Sequence, residues 1–513
     1  MLYGSEALGG VVNIITKDQM KNSLRVAAGN KGQRDYAATI GMGKASLALG
    51  RNEFGSTGNM TERLGTKKIN GTAVPYYIGF GDSKKDHLAF NYKFDDRFKF
   101  SYMFNKKKYT TNYNDVNENI LQHFMYDDRE HFAQIAYNDE NGWDAKIYYN
   151  QRRIENPDYY VVNPTNVEWE KSDHKQYGLD TKKVWRSDKA TGLIGISAKR
   201  ETYKNDNQKF KTFGDSSSIL KDPAHFGTYA LNNYSVYGSY DRKLSRATNI
   251  IFSAREDFIR SEAGDYNEFL PQIQAITKFD EHNSAYASVG KSFRMPTFRN
   301  LYYASSVVVP NPDLEAEHGW NYEIGYKYSE NGRRLNLTAF RIDIKDQIVA
   351  VKNLVDNKSY QTNAAKYRNT GIELRYEQDV DKHFTYNVGA VFAKPQRMYK
   401  EGQAWIDTLG RYQINGGVNY VNRDFSAALN LSYWGNRFKN GVSSEKITVT
   451  EISSPLLVSN LHLGYNVAKN VTATFDVDNL FNRKDIANVG GTSNNNLYYT
   501  MGRTFRVGVN YNF

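Results

Sequence analysis

Apolar and polar residues alternate one for one through long stretches of this 513-residue chain. Near the C-terminus Val471, Ala473, Phe475 and Val477 alternate with Thr472, Thr474, Asp476 and Asp478. The final residues repeat the pattern with Phe505, Val507, Val509, Tyr511 and Phe513. Successive side chains of a β-strand point to opposite faces, so this period describes strands with one apolar and one polar face. Leu88, Phe90, Tyr92 and Phe94, then Phe98, Phe100, Tyr102 and Phe104, and later Leu335, Leu337 and Ala339 follow the same rule, while the run Phe132, Gln134, Ala136 alternates imperfectly.

The punctuation between the strands is asymmetric. Tight turns are expected at Asp95-Asp96, Glu140-Asn141-Gly142, Ser187-Asp188, Asp280-Glu281, Glu330-Asn331-Gly332 and Asn422-Arg423-Asp424, residue types that tolerate turn dihedrals. Between them lie long polar, aromatic-spotted stretches, read as loops: Gly55 to Asp82, Tyr109 to Asp127, Glu155 to Ser172, Tyr203 to Thr228 and Arg294 to Glu317. Counting from about Lys21 gives about 22 strands, an even number that puts every short turn on one side and every long loop on the other. A soluble sheet of this size would expose long edges. The expected fold is therefore all-β, a 22-stranded antiparallel transmembrane β-barrel with short periplasmic turns and long extracellular loops. A lumen lined by the polar parity explains why a membrane protein can be so hydrophilic, and at this strand number the lumen is wide and expected to be plugged.

Composition supports this reading. Tyr 39, Phe 27 and Trp 6 make the chain 14% aromatic, with Gly 39 and only Pro 10. No apolar run approaches the length of a membrane helix. The absence of Cys excludes disulfides, Cys-ligated metals and thiol nucleophiles. The formal charge of +11 alone would fit nucleic acid, but basic residues spread around many strands form no single basic face, so no nucleic-acid partner is expected. No fixed repeat points to a propeller or solenoid.

Three segments resemble the TonB-dependent outer-membrane receptors, the siderophore and vitamin receptors. Tyr3-Gly4-Ser5-Glu6-Ala7-Leu8-Gly9-Gly10-Val11-Val12-Asn13-Ile14-Ile15-Thr16-Lys17 is similar to the end of the family's plug domain. Ser292-Phe293-Arg294-Met295-Pro296-Thr297-Phe298-Arg299-Asn300-Leu301-Tyr302, Asn311-Pro312-Asp313-Leu314-Glu315-Ala316-Glu317 and Trp320-Asn321-Tyr322-Glu323-Ile324-Gly325-Tyr326 resemble its mid-barrel stretch. Asp478-Asn479-Leu480-Phe481-Asn482-Arg483-Lys484 with the terminal Phe513 resembles its closing signature. The resemblance implies localisation in the bacterial outer membrane, contact with lipid and lipopolysaccharide, a monomer, energy coupling to the TonB complex through the plug, and uptake of a scarce nutrient, most readily a ferric siderophore. Residues 1–20 are expected to be a C-terminal remnant of the plug and 21–513 the barrel. The start at Met1-Leu2-Tyr3-Gly4-Ser5-Glu6 shows no signal peptide, so the expectation is a receptor barrel with most of its plug missing, as a truncation or a split gene.

Cobalamin and haem stay open as ligands. Phe293-Arg294-Met295-Pro296 and Asn311-Pro312-Asp313-Leu314 are similar to paired boxes of haem receptors, yet Arg294 to Leu314 contains no His and His318 lies just beyond, which weakens haem. A passive channel without a plug is the runner-up reading and a surface adhesin a third.

No catalytic, cofactor-binding or metal-binding residues are expected, nor an enzyme: Gly290-Lys291-Ser292 lies in a strand rather than before a helix, and the His residues form no ligand pair. Recognition chemistry is better represented. Aromatic rings offer contact area at low entropic cost and cations attract an anionic ligand. The candidate ligand-binding residues are Lys106, Lys107, Lys108, Tyr109 and Tyr113; Arg152, Arg153, Tyr159, Tyr160 and Trp169; Tyr302 and Tyr303; Trp405; and Tyr498 and Tyr499. Each of these could instead belong to an interfacial girdle or face lipopolysaccharide phosphates.

Overall fold

The computed structural model describes residues 21–69, 71–159, 165–212, 219–304, 308–443, 445, 447–490 and 496–513. The segment read as the plug remnant, 1–20, lies outside them, as does Tyr160. Twenty-two strands form the wall. The first eight are β1 (Ser23–Gly29), β2 (Arg34–Met42), β3 (Ala45–Phe54), β4 (Thr72–Lys93), β5 (Phe98–Asn114), β6 (Ile120–Asn138), β7 (Trp143–Tyr159) and β8 (Thr165–Arg186). Then come β9 (Ala190–Thr212), β10 (Ile219–Lys243), β11 (Thr248–Ser261), β12 (Gly264–Lys278), β13 (Asn283–Arg294), β14 (Glu317–Glu330) and β15 (Arg333–Lys352). The last are β16 (Ser359–Asp379), β17 (Phe384–Met398), β18 (Leu409–Val421), β19 (Phe425–Val442), β20 (Leu456–Ala468), β21 (Val471–Asp478) and β22 (Thr504–Asn512).

Every strand pairs antiparallel with its sequence neighbour, and β1 pairs with β22 from Ser23↔Asn512 to Gly29↔Arg506, closing the sheet on itself. Closure removes the edges that an open sheet would expose. The turns at one end are as short as expected. At Glu330↔Arg333 the two-residue connection is Asn331-Gly332, both with positive φ (49° and 75°), the conformation a hairpin turn of this length favours. Val507, Val509, Tyr511 and Phe513, about half exposed, form an outward apolar stripe, as do Ile135, Ile147, Ile194 and Val236. No helix among the described residues is long and apolar enough to cross a membrane; the strands do so.

The other end differs from expectation. Much of what reads as loop is strand: β5 runs to Asn114 and β6 begins at Ile120, and β9 and β10 reach Thr212 and Ile219. Tyr109 to Asp127 and Tyr203 to Thr228 are therefore mostly tall hairpin arms. Their polar and aromatic composition reads as loop because, above the membrane, both faces of a strand are wet and the apolar alternation fades.

One interruption of the wall positions the site. β12 and β13 pair only up to Gln272↔Gly290. Beyond that point Phe293, fully buried, packs on Ile259 and Leu270 of the β11–β12 hairpin together with Ala316. The following segment, 295–316, carries a five-residue helix, α1 (Phe298–Tyr302), opened by a Thr297/Asn300 capping box.

Candidate functional site

Which side chains face the lumen follows from strand parity. Exposed apolar residues mark the outer face: Phe98 on β5, Ile135 on β6, Ile147 on β7, Leu179 on β8, Ile194 on β9, Val236 on β10. Residues of the other parity face inward. Lys107, Tyr109, Tyr113 and Arg152 are thus luminal, whereas Lys106, Lys108 and Arg153 stand on the outer wall. Three of the basic candidates cannot meet a ligand in the lumen, and the reason is the one-residue alternation itself.

The luminal candidates are joined by neighbours of matching parity. Tyr109 stacks on Tyr126 across β5 and β6, centroids 4.5 Å apart and nearly coplanar at 7°, with the Lys107 Nζ 4.5 Å from the Tyr109 ring. Beside them Arg152 holds Asp128 through Nη2–Oδ2 at 2.7 Å. Higher on the same arms Tyr113 meets Phe124 at 4.9 Å and Tyr76 at 5.1 Å, and Lys67 Nζ lies 4.3 Å from its ring.

The aromatic band continues through α1. Phe298 stacks on Tyr203 at 5.7 Å and meets the His174 imidazole edge-on at 6.1 Å. Tyr302 lies face to face on Tyr229 at 3.7 Å and 1°. Leu301, Leu314 and Ala316 are buried beneath, and the Tyr266 hydroxyl donates to the Leu314 carbonyl at 3.2 Å. Residues 298–302 and 314–316, between β13 and β14, are therefore folded against the inner wall of β8–β12. A partly open cavity of about 140 Å³ remains between α1 and that wall, lined by His174, Glu201, Asn233, Tyr266, Met295 and Phe298 among others. His174 lies 3.5 Å from Glu201, which Lys199 also contacts. Burial, with Glu262 nearby, pushes the Tyr302 phenol up, so it stays neutral.

Other candidates have different surroundings. Trp405 lies under Arg368 at 4.2 Å, and Arg368 shares the outward parity of Ile372. Tyr303 lies under Arg299 at 3.7 Å. Tyr498 bridges to Thr61, and Tyr499 takes its place in a contact between 58–62 and the 496–499 strand: its backbone N–H donates to Met60 O at 2.8 Å and its hydroxyl to Glu62 Oε1 at 2.5 Å. That hydrogen bond, with burial, pushes the Tyr499 phenol up to about 12. Tyr159 and Trp169 sit at the tips of β7 and β8, where only the backbone is described. Sequence reading missed His174, Tyr203 and Tyr229 as site residues; assigning Tyr203 to Thr228 as loop hid the parity that would have placed Tyr203 inward, while Tyr229, just past its end, shares the inward parity of Tyr237 on β10.

Among the described residues no group of His, Asp and Glu is arranged to hold a metal ion. A closed, outwardly apolar antiparallel barrel of 22 strands with a polar lumen is an outer-membrane β-barrel. More narrowly, residues 70–480 match the family described as TonB dependent receptor-like, beta-barrel, and the chain belongs to that family. The vitamin B12 transporter BtuB of Vibrio vulnificus (strain YJ016) is 24% identical over 240 residues, 44% of this chain and 34% of that protein, so the match spans about a third of the relative's length. The ferric enterobactin receptor PfeA of Pseudomonas aeruginosa superposes with a TM-score of 0.75 at 16% identity, covering 100% of this chain and 83% of that one. The P. aeruginosa ferripyoverdine receptor bound to ferripyoverdine gives 0.71 at 12% identity, covering 98% and 72%, and the copper transporter OprC 0.73 at 16%, covering 98% and 82%. At these identities the structural likeness establishes the fold.

Proposed function

We propose that this chain forms the barrel of a receptor that captures a ferric siderophore of catecholate type at its extracellular mouth, with uptake driven by TonB through a plug whose end is residues 1–20, the receptor acting as a monomer. The observation that carries the reading is the inward-facing band of stacked aromatic rings interleaved with cations, from Tyr113 through Tyr109, Arg152 and His174 to Tyr302. Flat rings favour flat aromatic ligands, and cations favour a multiply anionic complex. PfeA, similar over the whole chain, is described as a ferric enterobactin receptor, which agrees with this chemistry.

Cobalamin uptake is the second reading, supported by the relative named as a vitamin B12 transporter. Quenching of intrinsic fluorescence by ferric catecholate, haem and cobalamin, measured on refolded protein in detergent, separates the readings. Saturable quenching by the ferric catecholate, weakened about tenfold or more in Tyr109→Ala, is the expected result. Saturation by cobalamin alone transfers the assignment to the second reading. No saturation by any of them, with large conductance in planar bilayers, would replace both by a passive channel.

A further inference from the structure

The junction between β12 and β13 is built differently from a ladder. β12 keeps its pairing with β11 up to Ser261↔Gly264, and β13 keeps its pairing with β14 up to Arg294↔Glu317. Between themselves β12 and β13 pair only from Lys278↔Ser284 to Gln272↔Gly290. Residues 264–271 of β12 and 291–294 of β13 therefore have no ladder partner across this junction among the described residues. Pro271, next above the last rung, has no N–H with which to carry the ladder on.

Parity shows how the two edges meet. Phe269 and Ile273 are exposed on the outer face of β12, so Glu268 and Leu270 face inward; Phe258 is exposed on β11, so Ile259 faces inward. On β14 Trp320 and Tyr322 are exposed, and residues paired directly across a ladder share a face. Lys291, opposite Trp320, and Phe293, opposite His318, thus stand with His318 on the outer face of β13–β14. These outward residues nonetheless meet the inward ones of the hairpin. Phe293 shares a buried cluster with Ile259 and Leu270, Lys291 Nζ lies 3.2 Å from Glu268 Oε2, and His318 Nδ1 lies 3.4 Å from Glu268 Oε1. The β11–β12 hairpin therefore overlaps the outside of β13–β14, and side chains alone hold the lap. The inner edge is braced separately: buried Glu317 accepts from Arg294 Nη2 at 2.5 Å and from the Ile348 N–H at 2.8 Å.

We propose that this lap is a gate: the wall parts between β12 and β13 above Gln272↔Gly290, Glu268 is its latch, and parting widens the mouth and uncovers the chain leading into α1. To part a ladder, backbone hydrogen bonds must break one after another; the lap has none to break. What opposes parting is the burial of Ile259, Leu270 and Phe293 and the grip of Lys291 and His318 on one carboxylate. The closed wall is thus the major state, and the parted one a minority that a ligand at the mouth can select. That last consequence rests on the receptor reading, whereas the gate itself does not.

The chain has no Cys, so spin labels on Phe269→Cys and Tyr322→Cys, both exposed and on opposite sides of the lap, report only that junction. In the full chain refolded in detergent, dipolar spectroscopy should give one dominant distance. Glu268→Gln should add a longer component, the parted fraction rising about fivefold or more. Lys291→Gln/His318→Gln should do the same from the other side of the latch, and it carries the comparison should Glu268→Gln fail to fold. Labels on Ile273→Cys and Ile324→Cys, below the last rung, should keep their distance in every variant. Unchanged distances across the lap in both latch variants, or equal broadening at the lower pair, would overturn the gate. Saturating ferric catecholate should enrich the longer component in the chain with its latch intact. Quenching by that probe with no change in distance would overturn the gate as the way in. If the probe does not quench at all, the receptor reading fails while the latch variants still decide the gate.

Discussion

Replacing Tyr302 by alanine should release α1 from the luminal wall. The Tyr302 ring lies flat on Tyr229 at 3.7 Å, a pairing worth about 0.5–1.5 kcal/mol beyond its buried area. The half-buried ring contributes about 1–1.5 kcal/mol more by burial. Together about 1.5–3 kcal/mol is lost, and at about 1.4 kcal/mol per factor of ten the undocked population should rise roughly 10- to 100-fold. Hydrogen exchange reads this directly, because the Leu301 N–H donates to Thr297 O (3.1 Å), Tyr303 N–H to Arg299 O (3.2 Å) and Asn311 N–H to Asn300 O (3.1 Å). Those three amides should exchange faster by that factor while β13 and β14, held by their ladder, do not change. Tyr302→Phe retains the stack and should stay near the native rate. Unchanged exchange in Tyr302→Ala, or equal acceleration in Tyr302→Phe, would refute the claim that ring stacking holds the segment down.

Further predictions concern the wall and the loops. Arg255 Nε donates to Asp257 at 2.9 Å and both side chains are buried, so Arg255→Met, which leaves the buried carboxylate its Ser235 hydroxyl donor but takes away its guanidinium counter-charge, should destabilise the barrel by about 3–5 kcal/mol in urea unfolding from vesicles, and adding Asp257→Leu should recover most of it. The Tyr499 phenol is raised by its bond to Glu62, so the stability it contributes is complete below its ordinary value near 10 and is lost as pH rises toward about 12. In Tyr499→Phe the protection factors of the 496–499 amides, with the base-catalysed intrinsic exchange divided out, should no longer fall across that window. At Asp485 burial alone would raise the carboxyl, but the Arg483 guanidinium and the Leu457 N–H outweigh it and hold the group below the usual range. Its anchoring of the last loop should persist at neutral pH and fail only as pH falls through that lowered value, a midpoint that Asp485→Asn abolishes in a peptic-cleavage assay.

Much of the fold is legible from residues alone because each strand states its own orientation. Phe505 to Phe513 declare an outward stripe with no partner in view, and Asn331-Gly332 declares a hairpin turn from two residues' tolerance of positive φ. These are local properties: alternation with period 2 and backbone sterics operate within a few residues. The even strand number and the asymmetry of turns then follow by adding local statements together. The family resemblance of Ser292 to Tyr326 and of Asp478 to Lys484 is likewise local.

The site is not local. Tyr203, Tyr229, Phe298 and Tyr302 meet only because closure of the sheet carries β8–β12 past the segment that follows β13, and because pairing between β12 and β13 stops at Gln272↔Gly290 and lets that segment turn inward. Nothing in the spacing of these residues predicts their stacking. Lys106 and Lys107 make the same point within two positions: identical side chains, adjacent in the chain, one on the outer face of the wall and one beside a luminal tyrosine. The sequence by itself determined that this chain is a barrel and where its membrane face lies, since parity is written strand by strand. Only the tertiary structure decided which aromatics and charges share the mouth and which share the outer wall, because that depends on register between strands and on a loop that folds back across five of them.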